Sequence, residues 1–155
     1  MKKIKIAGLA LAVIFIVLQF FQPEKNQSGL GEDNILAKEK IPQHIGDMLQ
    51  HSCFDCHSNQ TRYPWYDQIV PASWLVANHI REGKKQLNFS DWGKTDLVDK
   101  LGLLGQIQEE VKSGSMPLPS YTLIHRNAKL SKDQSEILIK WIDQFSEELL
   151  EADSK

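Results

Sequence analysis

The sequence predicts an all-α fold, with one helical domain behind an apolar N-terminal segment. Apolar residues recur every three or four positions in four separate stretches. No stretch reads convincingly as a strand. Two irregular stretches, residues 57–70 and 114–130, are longer than loops usually are unless something organises them. A chain of 155 residues suits one domain plus appendages. The part outside the N-terminal segment makes a weak core by itself, so the fold looks built to receive a large apolar guest.

The first element is the run MKKIKIAGLALAVIFIVLQFFQP. Lys2, Lys3 and Lys5 form a positive flank, and Ile6 to Phe21 is apolar except at Gln19. Bulky residues stand where a cleavage site needs small ones, and no cysteine follows for lipid attachment. Residues 1–22 therefore read as an uncleaved signal anchor, a single transmembrane helix slightly short of a ~30 Å hydrocarbon core. The flanking lysines place the rest of the chain on the periplasmic side of the cytoplasmic membrane. Residues 23–40 are polar, contain Pro23, Gly29 and Gly31, and read as a linker that holds the domain off the membrane.

Residues 41–150 form the domain. Its first helix spans residues 42–52, with Pro42 at the first position and Ile45, Met48 and Leu49 on one face. The second spans 72–85 after Val70-Pro71, with Trp74, Leu75 and Ile80 as its apolar side and Gly83 fraying its end. Thr95 caps a third helix to Lys112, along which Leu97, Leu101, Leu104, Ile107 and Val111 keep helical spacing, and Gly114 stops it. The fourth opens on a capping box, Ser131 with Gln134, and carries a stripe from Ile137 to Leu149.

The formal net charge is −2. Three of the 18 basic residues precede Ile6, so the remainder carries 15 basic against 20 acidic groups. A moderately acidic domain is a poor candidate for nucleic acid.

Both cysteines of the chain lie in SCFDCHS, residues 52–58. Cys-x-x-Cys-His is the signature of covalent c-type haem attachment. Cys53 and Cys56 would form thioethers with the vinyl groups, and His57 would be the proximal iron ligand. A thioredoxin-like pair needs a βαβ setting that this pattern lacks. A zinc site needs more ligands, and His44, His51, His79 and His125 lack the paired spacing. A plain disulfide suits an exported chain but leaves His57 unexplained.

For the other axial position the first candidate is Met116, in the loop SGSMPLPSY, where Pro117 and Pro119 stiffen the backbone. A gap-filling methionine is the competing reading. His79, on the second helix, is the alternative distal ligand, and His125 comes third. His51 is too close to the attachment motif to swing over a ring. Tyr63, Trp65, Tyr66, Trp74 and Tyr121 are candidate porphyrin walls, against plain core packing. Arg62 is a candidate propionate partner, against a solvated arginine.

The runs CFDCHSNQTRYPWY, PASWLVANHIREGKKQLNFSDW and MPLPSYTLIHRNAKLS resemble the small haem-binding-domain proteins common in Bacteroidota, over roughly residues 40 to 146. More broadly, the order of helix, CxxCH, methionine loop and terminal helix resembles class I cytochrome c. That resemblance implies that the first and last domain helices cross beside one covalent haem c. It also implies that Cys53, Cys56 and His57 attach and ligate the haem, with Met116 as the distal ligand. The chain departs from the class I pattern in its long 57–115 segment, which leaves room for a histidine ligand.

The functional expectation is a membrane-anchored mono-haem electron carrier serving redox partner proteins. The alternative is a gas or redox sensor, or a peroxidase-like enzyme, with an open or labile sixth site. No distal acid–base constellation is evident, and His79 could take such a role only if Met116 does not ligate.

Overall fold

A computed structural model describes residues 2–154. The described residues form helices α1 (Lys2–Leu18), α2 (Ile35–Lys38), α3 (Gln43–Ser52), α4 (Phe54–His57), α5 (Ala72–Gln86), α6 (Leu97–Ser113), α7 (Pro119–Ile124) and α8 (Lys132–Asp153). Short 3₁₀ turns cover Trp65–Gln68, Phe89–Lys94 and Arg126–Ala128. The only extended pairing among the described residues is an isolated bridge between Gln27 and Gln60. The all-α expectation holds.

The domain helices form largely where the sequence places them. Pro42 takes the cap position, its carbonyl accepting from Ile45 N at 2.9 Å and Gly46 N at 3.0 Å. Ile45, Met48 and Leu49 are buried as their spacing requires. The α6 cap is Asp96 instead of Thr95: its carboxylate accepts from Asp99 N at 2.9 Å. Gly114 ends α6 in the left-handed region, φ 71°. The α8 capping box is complete: Ser131 Oγ accepts from Gln134 N at 3.1 Å and Gln134 Oε1 accepts from Ser131 N at 2.9 Å.

α6 packs along α8, and α3 touches α8. A chain of rings runs through the core from the attachment motif. Phe54 stacks on Phe89 at 5.2 Å, Phe89 lies 6.5 Å from Trp92, and Trp92 stacks on Phe145 at 6.2 Å. Trp92 is fully buried, and its indole N–H donates to Glu39 at 2.9 Å.

Two expectations are corrected here. Residues 23–40 are not a free spacer. Ile35 is fully buried, Asn34 caps α2, and Glu39 bonds both Trp92 and Lys100. Asn26 donates to Ser58 O at 2.8 Å and Thr61 Oγ1 at 2.9 Å, and Lys25 pairs with buried Asp67. A segment this polar packs because its side chains satisfy backbone groups of the domain. The second correction is α5, where Ile80 is buried but Trp74 and Leu75 are 41% and 58% exposed.

At the N-terminus, α1 is exposed along its length to Val17. A turn continues it through Phe21, whose N–H donates to Leu18 O at 3.0 Å. Gln19 then grips the domain, accepting from Val70 N at 2.9 Å and donating to Val70 O at 3.3 Å. Among the described residues no helix is long and apolar enough to cross a membrane.

Candidate functional site

Cys53 ends α3, its N–H bonded to Leu49 O at 2.9 Å, and α4 then carries Cys56 and His57. The His57 N–H donates to Cys53 O at 3.0 Å, so the motif is one tight turn. Both thiols are free. Burial pushes the Cys53 thiol up to about 12, helped by the nearby Cys56. Burial and the Asp55 charge raise Cys56 to about 11.

Gly83 explains how α5 comes so close. A Cβ there would lie 2.7 Å from the Cys56 carbonyl oxygen, so only glycine lets the helix lie against the motif. The sequence reading of Gly83 as a fraying end is thereby corrected: α5 continues to Gln86. Just beyond it, Leu87 O is 3.1 Å from His57 Nδ1. A carbonyl only accepts, so Nδ1 carries the proton and Nε2 keeps its lone pair. Burial lowers the His57 pKa, which favours that neutral form.

These residues open onto a cavity of about 440 Å³. Cys53, Cys56 and His57 share it with His79 of α5 and Met116 of the loop after α6. Its walls are mostly apolar, with Leu103, Ile107, Val111, Leu118 and Leu130 among them. Met116 is half-buried and its N–H donates to Glu110 O at 3.0 Å, folding the loop back onto α6. Met116 and His79 both line the cavity that Cys53, Cys56 and His57 share. His125 does not line it. That ring stacks on Tyr121 at 4.3 Å and bonds Tyr66 OH at 2.6 Å.

The other candidates separate. Tyr121 alone of the proposed aromatic walls lines the cavity. Tyr63 accepts from Asn26 N at 2.7 Å, and Trp65 is 77% exposed. Arg62 holds Asp55, with Nε 3.1 Å from Oδ1 and Nη2 3.1 Å from Oδ2. Tyr121 OH donates to the same carboxylate at 2.6 Å. Asp55 thus ties the attachment turn to α7, a role no spacing announced. His44 and His51 are exposed; His51 and Tyr121 line a second, polar cavity of about 620 Å³. Glu82, Glu109 and Glu110 also line the main cavity and were missed, because they sit off the apolar stripes. Among the described residues no cluster of three or more His, Cys, Asp or Glu stands ready to hold a bare metal ion.

The chain is 23% identical over 142 residues to the cytochrome c peroxidase Ccp of Escherichia coli (strain K12), covering 90% of this chain and 30% of that protein. The chain thus spans less than a third of that relative's length. No solved structure matches. The family described as the haem-binding domain matches residues 13–144, most of the chain, and the protein belongs to that haem-binding-domain family.

Proposed function

We propose that this protein is a membrane-tethered mono-haem c-type electron carrier, with thioethers to Cys53 and Cys56, His57 proximal and Met116 distal. The observation that carries the reading is the shared apolar cavity, which gathers both thiols, the oriented imidazole and the thioether. The residues present suit the group: an apolar slot for the ring, two vinyl-reactive thiols, and a neutral imidazole with its far nitrogen free. Bound haem supplies a one-electron iron couple. The Leu87 carbonyl orients His57, and Gly83 seats α5 against the attachment turn. Met116 would offer its thioether as the second iron ligand, which would raise the potential relative to a second histidine. Met116 and the apolar walls would keep water from a haem held there.

The exposed apolar face of α1, with lysines at its start, supports a tether to the cytoplasmic membrane with the domain on the periplasmic side. Redox proteins in or on that membrane are the partners this placement fits. The likeness to the E. coli cytochrome c peroxidase favours a second reading, a peroxidase-like enzyme with an open sixth site.

One experiment separates them. Full-length protein co-expressed with a haem-attachment system is extracted with acidified acetone, and its spectra are recorded with and without carbon monoxide. Haem retained by the protein, a low-spin ferric spectrum with the weak far-red band of methionine ligation, and no carbon monoxide binding support the carrier. Haem lost to the acetone refutes covalent attachment. Ready carbon monoxide binding refutes a closed site and favours the enzyme or a gas sensor.

A further inference from the structure

We propose that the haem domain itself lies on the lipid bilayer, through an apolar collar around the root of α1. This rests on the membrane-tethered reading and goes beyond it, because it assigns a lipid-binding surface to the folded domain. Four pairs of groups fasten the root. Gln19 bonds the backbone of Val70 through both its amide atoms, at 2.9 and 3.3 Å. Gln22 donates to Gln68 O at 3.2 Å, and Trp74 Nε1 donates to Phe21 O at 2.7 Å. Lys25 pairs with Asp67. The apolar helix therefore leaves the domain from a fixed point instead of a loose tether.

Around that point the surface is largely apolar, with Glu24 and Lys25 the exposed charged residues of the root itself. Phe20 is 84% exposed, Trp65 77% and Leu75 58%, and Phe21, Ile69 and Trp74 are exposed with them. From Tyr63 to Ile80 the only charged residue is Asp67, and it is buried against Lys25. No charged side chain of that stretch thus faces solvent, in a chain that is 25% charged. Exposed aromatic and aliphatic residues without charge are unusual on a free surface. Tryptophans beside the end of an apolar helix match the chemistry of the headgroup boundary, where amphipathic rings are favoured, and the phenylalanines match the apolar region next to it. Continuity with α1 makes the bilayer the occupant. The consequence reaches the cavity: Gly83, which touches Cys56, is eight residues from Leu75 along α5, no more than roughly 12 Å at 1.5 Å rise. The cofactor is held beside the membrane surface, within reach of membrane-embedded partners.

The test uses full-length holoprotein in lipid nanodiscs, with single cysteines introduced as Ala12→Cys, Ile69→Cys, Leu75→Cys and Val98→Cys. The wild type, whose own thiols are consumed by haem, is the blank. Each variant is labelled with a charged maleimide, and rates are normalised to the denatured protein. Cysteines at 69 and 75 should label several-fold more slowly than at 98, and at 12 more slowly still. If 69 and 75 label as fast as 98 while 12 is shielded, the tether stands and the collar is overturned. If 12 also labels like 98, the tether itself is wrong and the collar falls with it.

Discussion

Replacing Gly83 by alanine probes the contact that builds the cavity. An added Cβ would stand 2.7 Å from the Cys56 carbonyl oxygen and 3.2 Å from its carbonyl carbon and Cβ. Carbon–oxygen contacts settle at about 3.3 Å or more, so α5 and the attachment turn must separate by roughly 0.6 Å. Both partners are backbone, and neither can rotate away. Overpacking of that kind costs about 1–3 kcal/mol. Alanine returns about 1 kcal/mol of helix propensity. The net expectation is a loss of about 0–2 kcal/mol. Gly105→Ala on α6 is the matched control, because nothing lies within 4 Å of its added Cβ. It should gain about 1 kcal/mol from propensity alone. Urea denaturation of the two holoproteins, followed by circular dichroism, should place them about 1–3 kcal/mol apart. Haem content per chain should fall for Gly83→Ala only. Equal gains from both alanines would refute the packing of α5 on the motif, and with it the cavity as described.

Met116→Ala should shift the ferric spectrum toward high spin and admit carbon monoxide to the reduced protein, whereas His79→Ala should leave the spectrum nearly unchanged; reversed behaviour would assign bis-histidine ligation and a lower potential. Asp55→Asn weakens the charge-assisted bonds to Arg62 and Tyr121 and should destabilise the protein by about 1–3 kcal/mol in urea; a neutral result would mean that the link between α4 and α7 holds no weight. Because burial pushes the Cys53 and Cys56 thiols up to about 12 and about 11, iodoacetamide should modify the haem-free chain slowly at neutral pH, with the rate rising about tenfold per pH unit until about 11. Fast, pH-independent alkylation would show that the thiols are not shielded.

That the chain is a haem protein was legible at once, because CxxCH is a haem signature written in five consecutive residues. The helices were legible because apolar periodicity and capping chemistry are local: the Ser131–Gln134 box and the Gly114 stop need nothing beyond their neighbours. The expectation that residues 23–40 form a spacer failed because polarity alone does not distinguish a solvated chain from one whose side chains bond a neighbouring backbone. Trp74 and Leu75 misled for a related reason. A periodic apolar position reports that a side chain avoids water, but not which surface shields it.

By itself, then, the sequence determined the helical class, the positions of the main helices and the motif that marks a haem protein. Only the tertiary structure decided that Met116 and His79 share the cavity while His125 belongs to a tyrosine cluster. The same holds for Leu87 O aligning His57, Asp55 joining Arg62 to Tyr121, and Gly83 meeting Cys56. These contacts join residues up to 66 positions apart. Spacing along the chain encodes what a turn or helix brings together, whereas such pairs meet only when helices pack, and packing is set by the shape of the whole core.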